Sequence, residues 1–182
     1  MIRHLLTGAI TGTIVMFIWG AGEWFNPLLH APYDLPVDPA AFNNDLLRHT
    51  PANGVYVWPN GPATKDAAGQ PQDLMYFLVR AQAADYRPAK FMLVELLTQL
   101  VTWTLLTYLI LWTKLPLLRE RVQLVILTGV AGVLGYLVVM ANWWLFPLDY
   151  VITRALNLLI GWSLAGIAVA FVTRRYFQSV NQ

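Results

Sequence analysis

The residues in this chain whose chemistry asks for an explanation stand inside apolar segments. Arg154 and Asn157 lie near the start of "YVITRALNLLIGWSLAGIAVAFV", and Glu95, Gln99 and Thr102 lie within "KFMLVELLTQLVTWTLL". A charged side chain at the centre of a bilayer costs about 2.5 to 3.5 kcal/mol on insertion scales, so such residues pair with each other or mark a ligand or proton path. Spacings of three and four place Glu95, Gln99 and Thr102 on one helical face, and Arg154, Asn157, Gly161 and Ala165 on another. Both segments are entered from the same side, Glu95 one to two turns in and Arg154 about one turn in. The sequence therefore predicts that the two charges meet, with Gln99, Asn157 and Asn142 completing their hydrogen bonds. Such a cluster is an interhelical lock or a site for a polar head group, a quinone or a proton.

Other chemistry finds no residues to carry it. There is no cysteine, which excludes thiol catalysis, disulfides and Cys-ligated metal. Ser163 and Ser179 are the only serines, and neither has a histidine nearby in sequence to activate it. His4, His30 and His49 do not pair across a bundle as bis-histidine haem requires. His30 with Asp34 and Asp38 lacks a regular metal-ligand spacing, and no glycine-rich phosphate loop occurs. The expectation is no metal and no cofactor other than a lipid or quinone, in a protein read first as non-catalytic.

The elements that must position these residues follow from composition. Of the 182 residues, 57% are hydrophobic and only 12% charged, with a mean hydropathy of +0.51, which is an integral membrane protein rather than a soluble domain. The net charge of +2 comes from basic residues at the ends of apolar segments, not from a basic face, so nucleic acid is excluded as a partner. Four apolar stretches, about 5 to 22, 91 to 112, 122 to 145 and 151 to 172, approach the roughly 20 residues that cross a hydrocarbon core. The basic "MIRH" and the small "GAG" at 20 to 22 would also suit a signal peptide, but kept as an anchor the first stretch makes the span count even. Lysines and arginines at 3, 114, 119, 121, 174 and 175 belong in the cytoplasm. The predicted organisation is span one 1–22, an extracytoplasmic segment 23–89, span two 90–113, a cytoplasmic loop 114–121, span three 122–145, an outer turn 146–150, span four 151–173 and a cytoplasmic tail 174–182.

Nine of the eleven prolines fall in 23–89, which bars a long helix there. "DPAAFNNDLLRHT" offers Asp38 as N-cap and Pro39 at the first helical position, and "GVYVWP" and "QDLMYFLVRA" are rich in β-formers. The predicted fold class is an α-helical membrane protein, a four-helix bundle with a small α+β insertion, one short helix plus a β-hairpin, between the first two spans.

Small residues four apart allow close helix approach: Gly8 and Gly12 in span one, Ala131 and Gly135 in span three, Gly161 and Ala165 in span four. These faces pack within the bundle or between molecules. Trp19, Trp24, Trp143 and Trp144 toward the outer face, and Trp112 toward the inner, read as an anchoring girdle.

"GVYVWP" and "NWWLFPLDY" resemble stretches of uncharacterised small bacterial four-span inner-membrane proteins with a large first outer loop. The resemblance implies that fold and membrane and carries no catalytic residues. The topology is also similar to that of the claudins, whose first-loop cysteine pair this chain lacks. Two functions remain: an accessory or assembly subunit that docks on a larger inner-membrane complex or on itself, and a small lipid-, quinone- or substrate-binding enzyme or carrier built around Glu95 and Arg154.

Overall fold

In the computed structural model, which describes residues 1–25, 37–50, 52, 54–56, 78–80, 87–144 and 146–180, each apolar stretch is helical and begins three or four residues before its sequence limit. Helix α1 is Ile2–Phe25, α3 is Pro88–Thr113, and α6 is Leu148–Val172. The remaining span is composite: α4 (Leu118–Gly132) continues through a π-helical segment, Val133–Val138, into α5 (Val139–Trp144). The four candidate spans run 22, 26, 27 and 25 residues, or roughly 33 to 40 Å at 1.5 Å per residue, against about 30 Å of hydrocarbon. They are long and apolar enough to cross a membrane and fit a multi-pass membrane protein.

Local chemistry sets the helix ends. Lys114 adopts the left-handed φ of 52° just past α3, and Pro116 follows two residues on. The Glu120 carboxylate accepts a hydrogen bond from the Leu117 N–H at 3.1 Å, which fixes the start of α4. Arg121, expected in a loop, therefore lies inside the helix. It is 4% exposed, donates to the carbonyls of Leu117, Pro116 and Ala170, and stacks on the Phe177 ring 4.0 Å from its centroid.

The chain divides into two units. In the first, α1 packs along α3 on one flank and along α6 on the other, and α4 packs along α6. Its core is Trp103, Ile110 and Leu111 from α3, Val125 from α4 and Ala165 and Val169 from α6, with the Trp103 and Trp162 rings 6.1 Å apart. Phe177 of the short α7 (Arg174–Val180) closes it near the chain termini. The loop end of the bundle is the one where α1 finishes and α3 and α6 begin.

The second unit contains α2 (Pro39–His49), capped by the Asp38 carboxylate through the N–H groups of Ala40 at 3.1 Å and Ala41 at 2.9 Å. Strands β1 (Gly54–Tyr56) and β2 (Leu78–Arg80) pair antiparallel, Val55 opposite Val79. Three residues a side fall short of the folded hairpin insertion expected from sequence, which the described residues do not support; 57–77 lie outside them.

Close helix approach occurs at some of the predicted small residues and not at others. A Cβ on Gly12 would lie 2.3 Å from the Trp103 ring, one on Gly8 2.5 Å from the Thr107 methyl, and one on Gly161 2.5 Å from the Trp19 ring. Ala165 is fully buried. At the span-three pair there is no close approach within the described residues: Ala131 is exposed and Gly135 has open space where a side chain would be.

Candidate functional site

The predicted polar stripe of span four exists, and its neighbour is α1. Helices α1 and α6 run antiparallel, so one step toward the loop end on α1 is matched by one on α6. Gly161 lies under Met16 and Trp19. One turn further, Trp19 Nε1 donates to Asn157 Oδ1 at 2.6 Å and to the Asn157 carbonyl at 3.1 Å. A turn beyond that, Arg154 Nη1 donates to Glu23 Oε1 in an ion pair. Trp19 and Glu23 are four apart on α1, and Arg154, Asn157 and Gly161 are three and four apart on α6, so two helical stripes interlock.

Burial grades along this node. Asn157 is 4% exposed, the Glu23 side chain 13% and the Arg154 side chain 40%. A buried amide costs free energy unless its hydrogen bonds are made, and the indole N–H, itself apolar in body and polar at one atom, meets that need without bringing another charge. The ion pair closes the node where it nears the helix ends. The arrangement joins cation to anion and donor to acceptor, which suits a lock between α1 and α6.

The predicted meeting of Glu95 with Arg154 does not occur. Glu95 is exposed and accepts a hydrogen bond from Gln99 Nε2 at 2.7 Å, one turn along its own helix. Continuing the register set by Gly8 with Thr107 and Gly12 with Trp103 puts Glu95 at the level of Gly20 of α1, on a face of α3 turned outward. The physical reason is that α1 takes the place the sequence reading gave to α3: it lies along α6 and supplies its own acid to Arg154. Gln99, half-buried, is likewise committed to Glu95 rather than to the arginine. Asn142 is exposed and belongs to the second unit.

Glu23 falls just beyond the predicted span one, 1–22; its spacing of four from Trp19 continues the α1 face, and the helix runs on to Phe25. Arg121 was hidden for the same reason, the helix beginning earlier than its hydropathy. Among the aromatics, Trp112 is 67% and Trp143 72% exposed, Trp144 is half-buried, and the Trp24 side chain lies outside the described residues. Trp19 is an interhelical donor rather than a lipid-facing anchor.

On the other flank of α1, Trp103 Nε1 and Thr107 Oγ1 are buried without a hydrogen-bond partner. Among the described residues no group of three His, Asp or Glu gathers to hold a metal ion. The chain matches no family model, no curated protein and no solved structure.

Proposed function

We propose that the chain is a non-catalytic integral membrane protein, an accessory or stabilising subunit that docks on other membrane helices of a larger bacterial inner-membrane complex. One observation carries this reading: none of the residues from 88 to 102, the loop-end half of α3, is buried. That half displays Phe91, Met92, Leu93, Val94, Leu96, Leu97, Leu100 and Val101 together with Glu95 and Gln99. Lipid alone would satisfy the apolar side chains. It does not satisfy a carboxylate about two turns inside the helix, and membrane helices associate through such polar groups.

In this reading both termini are cytoplasmic, and the acid-rich segment between α1 and α3 is extracytoplasmic and available to the same partner. The alternative of a lipid, quinone or proton site drew on Glu95 facing Arg154, and that geometry is absent. The experiment is native electrophoresis after gentle solubilisation from the membrane in which the chain is made. The expected result is migration in an assembly well above the 20.5 kDa of the chain with its detergent belt; migration as the free chain in two mild detergents overturns the proposal.

A further inference from the structure

We infer that the loop-end half of α3 is a docking face for a partner membrane helix that carries one lysine or arginine at the depth of Glu95. This rests on the subunit reading above and specifies the partner's chemistry. Glu95 is seven residues into a helix of 26. With about 30 Å of hydrocarbon centred on that helix, its Cα lies roughly 7 Å below the membrane surface. Gln99 holds one carboxylate oxygen, and a carboxylate has about four acceptor positions, so most remain open. Beside it Val94, Leu97, Thr98, Val101 and Thr102 line an open groove along the helix. Two of those five are threonine, one of the small residues that let a second helix backbone come close.

Charge decides the occupant. The arginine this chain holds at similar depth, Arg154, is already neutralised by Glu23, and Lys90 stands five residues nearer the start of α3. A second copy would therefore bring carboxylate toward carboxylate. A phospholipid head group stays at the interface, several ångströms above Glu95, and its tails carry no cation. A helix with its own buried cation gains what Glu95 gains, a partner for a charge that hydrocarbon penalises, and an arginine can meet the carboxylate in a bidentate geometry.

The test uses the full chain, fluorescently labelled, in phosphatidylcholine vesicles, titrated with a leucine-rich synthetic helix bearing a single arginine at the level of Glu95. The same helix with glutamine at that position is the comparison. The wild-type chain is expected to bind the arginine helix about five- to thirtyfold more tightly, the range of interhelical polar contacts between model peptides. Glu95→Gln and Glu95→Ala both abolish that preference while leaving the chain as stable as wild type. A double variant, Glu95→Ala with Ile18→Glu, carries a carboxyl within one turn of the same depth on the exposed face of α1, Ile18 being seven residues from the α1 end and 65% exposed; it is expected to show no preference. Equal binding of the two helices by wild type overturns the inference. So does full preference in the Ile18→Glu variant, or wild-type self-association that Glu95→Ala weakens. The two peptide-binding results leave native migration unaltered, so cation docking and the subunit reading fail separately.

Discussion

Helix α1 is held on its two flanks by different physics. Toward α3 it offers Gly8 and Gly12, and the side chains of Thr107 and Trp103 lie almost on its backbone while their own polar atoms have no hydrogen-bond partner. Toward α6 it offers Trp19 and Glu23, and both are engaged, with Asn157 and with Arg154. Lipid is as apolar as leucine, so helices in a membrane gain little from hydrophobic burial and associate through close packing or interhelical hydrogen bonds. The α3 flank uses the first route alone, and the α6 flank adds the second to its close contact at Gly161. The shape-based flank has no slack at Gly8 and Gly12, where an added Cβ collides; the polar flank consists of separable contacts, so it should fail in stages.

The largest expected effect is therefore at Gly12. A Cβ there falls within 2.6 Å of three Trp103 ring atoms, and Trp103 has no exposed surface into which to retreat. Gly12→Ala is expected to destabilise by about 1 to 3 kcal/mol and Gly12→Leu by more, enough to separate α1 from α3. Denaturant unfolding in mixed micelles measures both. A Gly12→Leu protein that unfolds like wild type would show that the flank is not close-packed.

On the polar flank the ion pair comes next. Breaking a fully buried pair typically costs about 3 to 5 kcal/mol, but the Arg154 side chain is 40% exposed, so Arg154→Ala should cost about 1 to 3. Glu23→Gln combined with Arg154→Met leaves no unpaired charge and should be milder than Arg154→Ala alone. A double variant worse than the single would mean that the pair acts through attraction rather than through mutual neutralisation. Below it ranks the Trp19–Asn157 hydrogen bond: a double-mutant cycle with Trp19→Phe and Asn157→Leu should return a coupling of about 0.6 to 1.7 kcal/mol. Zero coupling would leave Gly161 and shape as the whole of that contact and erase the contrast between the flanks.

The same contrast marks what sequence can disclose. Apolar runs of span length, the capping of α2 by Asp38, and the stripe Asn157, Gly161 and Ala165 were all readable, because each depends on residues a few positions apart. The partner of Arg154 was not, because four apolar helices of similar length can neighbour one another in several orders, and depth along a span is shared by Glu23 and Glu95 alike. The glycines show the limit from the other side. Gly8 and Gly135 each belong to a small-residue pair four apart, yet one is pressed against Thr107 and the other faces open space. Spacing tells where backbones could approach; only the order of helices tells where they do.

The smallest expected effect is at Glu95, and it sharpens the comparison because this carboxylate lies on neither flank of α1. Glu23 is enclosed, 13% exposed and paired across two helices, so its loss unbalances the bundle. Glu95 is exposed, and its hydrogen bond among the described residues is with Gln99 of its own helix, a contact one turn away that adds nothing between helices. Glu95→Gln keeps the shape and a hydrogen-bonding group at that position, so the stability of the isolated chain should change by no more than about 0.5 kcal/mol, the range of surface substitutions. The same substitution should release the chain from its assembly if that face is where it docks. A loss of several kcal/mol in the purified chain would instead place Glu95 inside the fold, joining it to the class of Glu23 and removing the distinction between a carboxylate that holds the bundle together and one that awaits a partner.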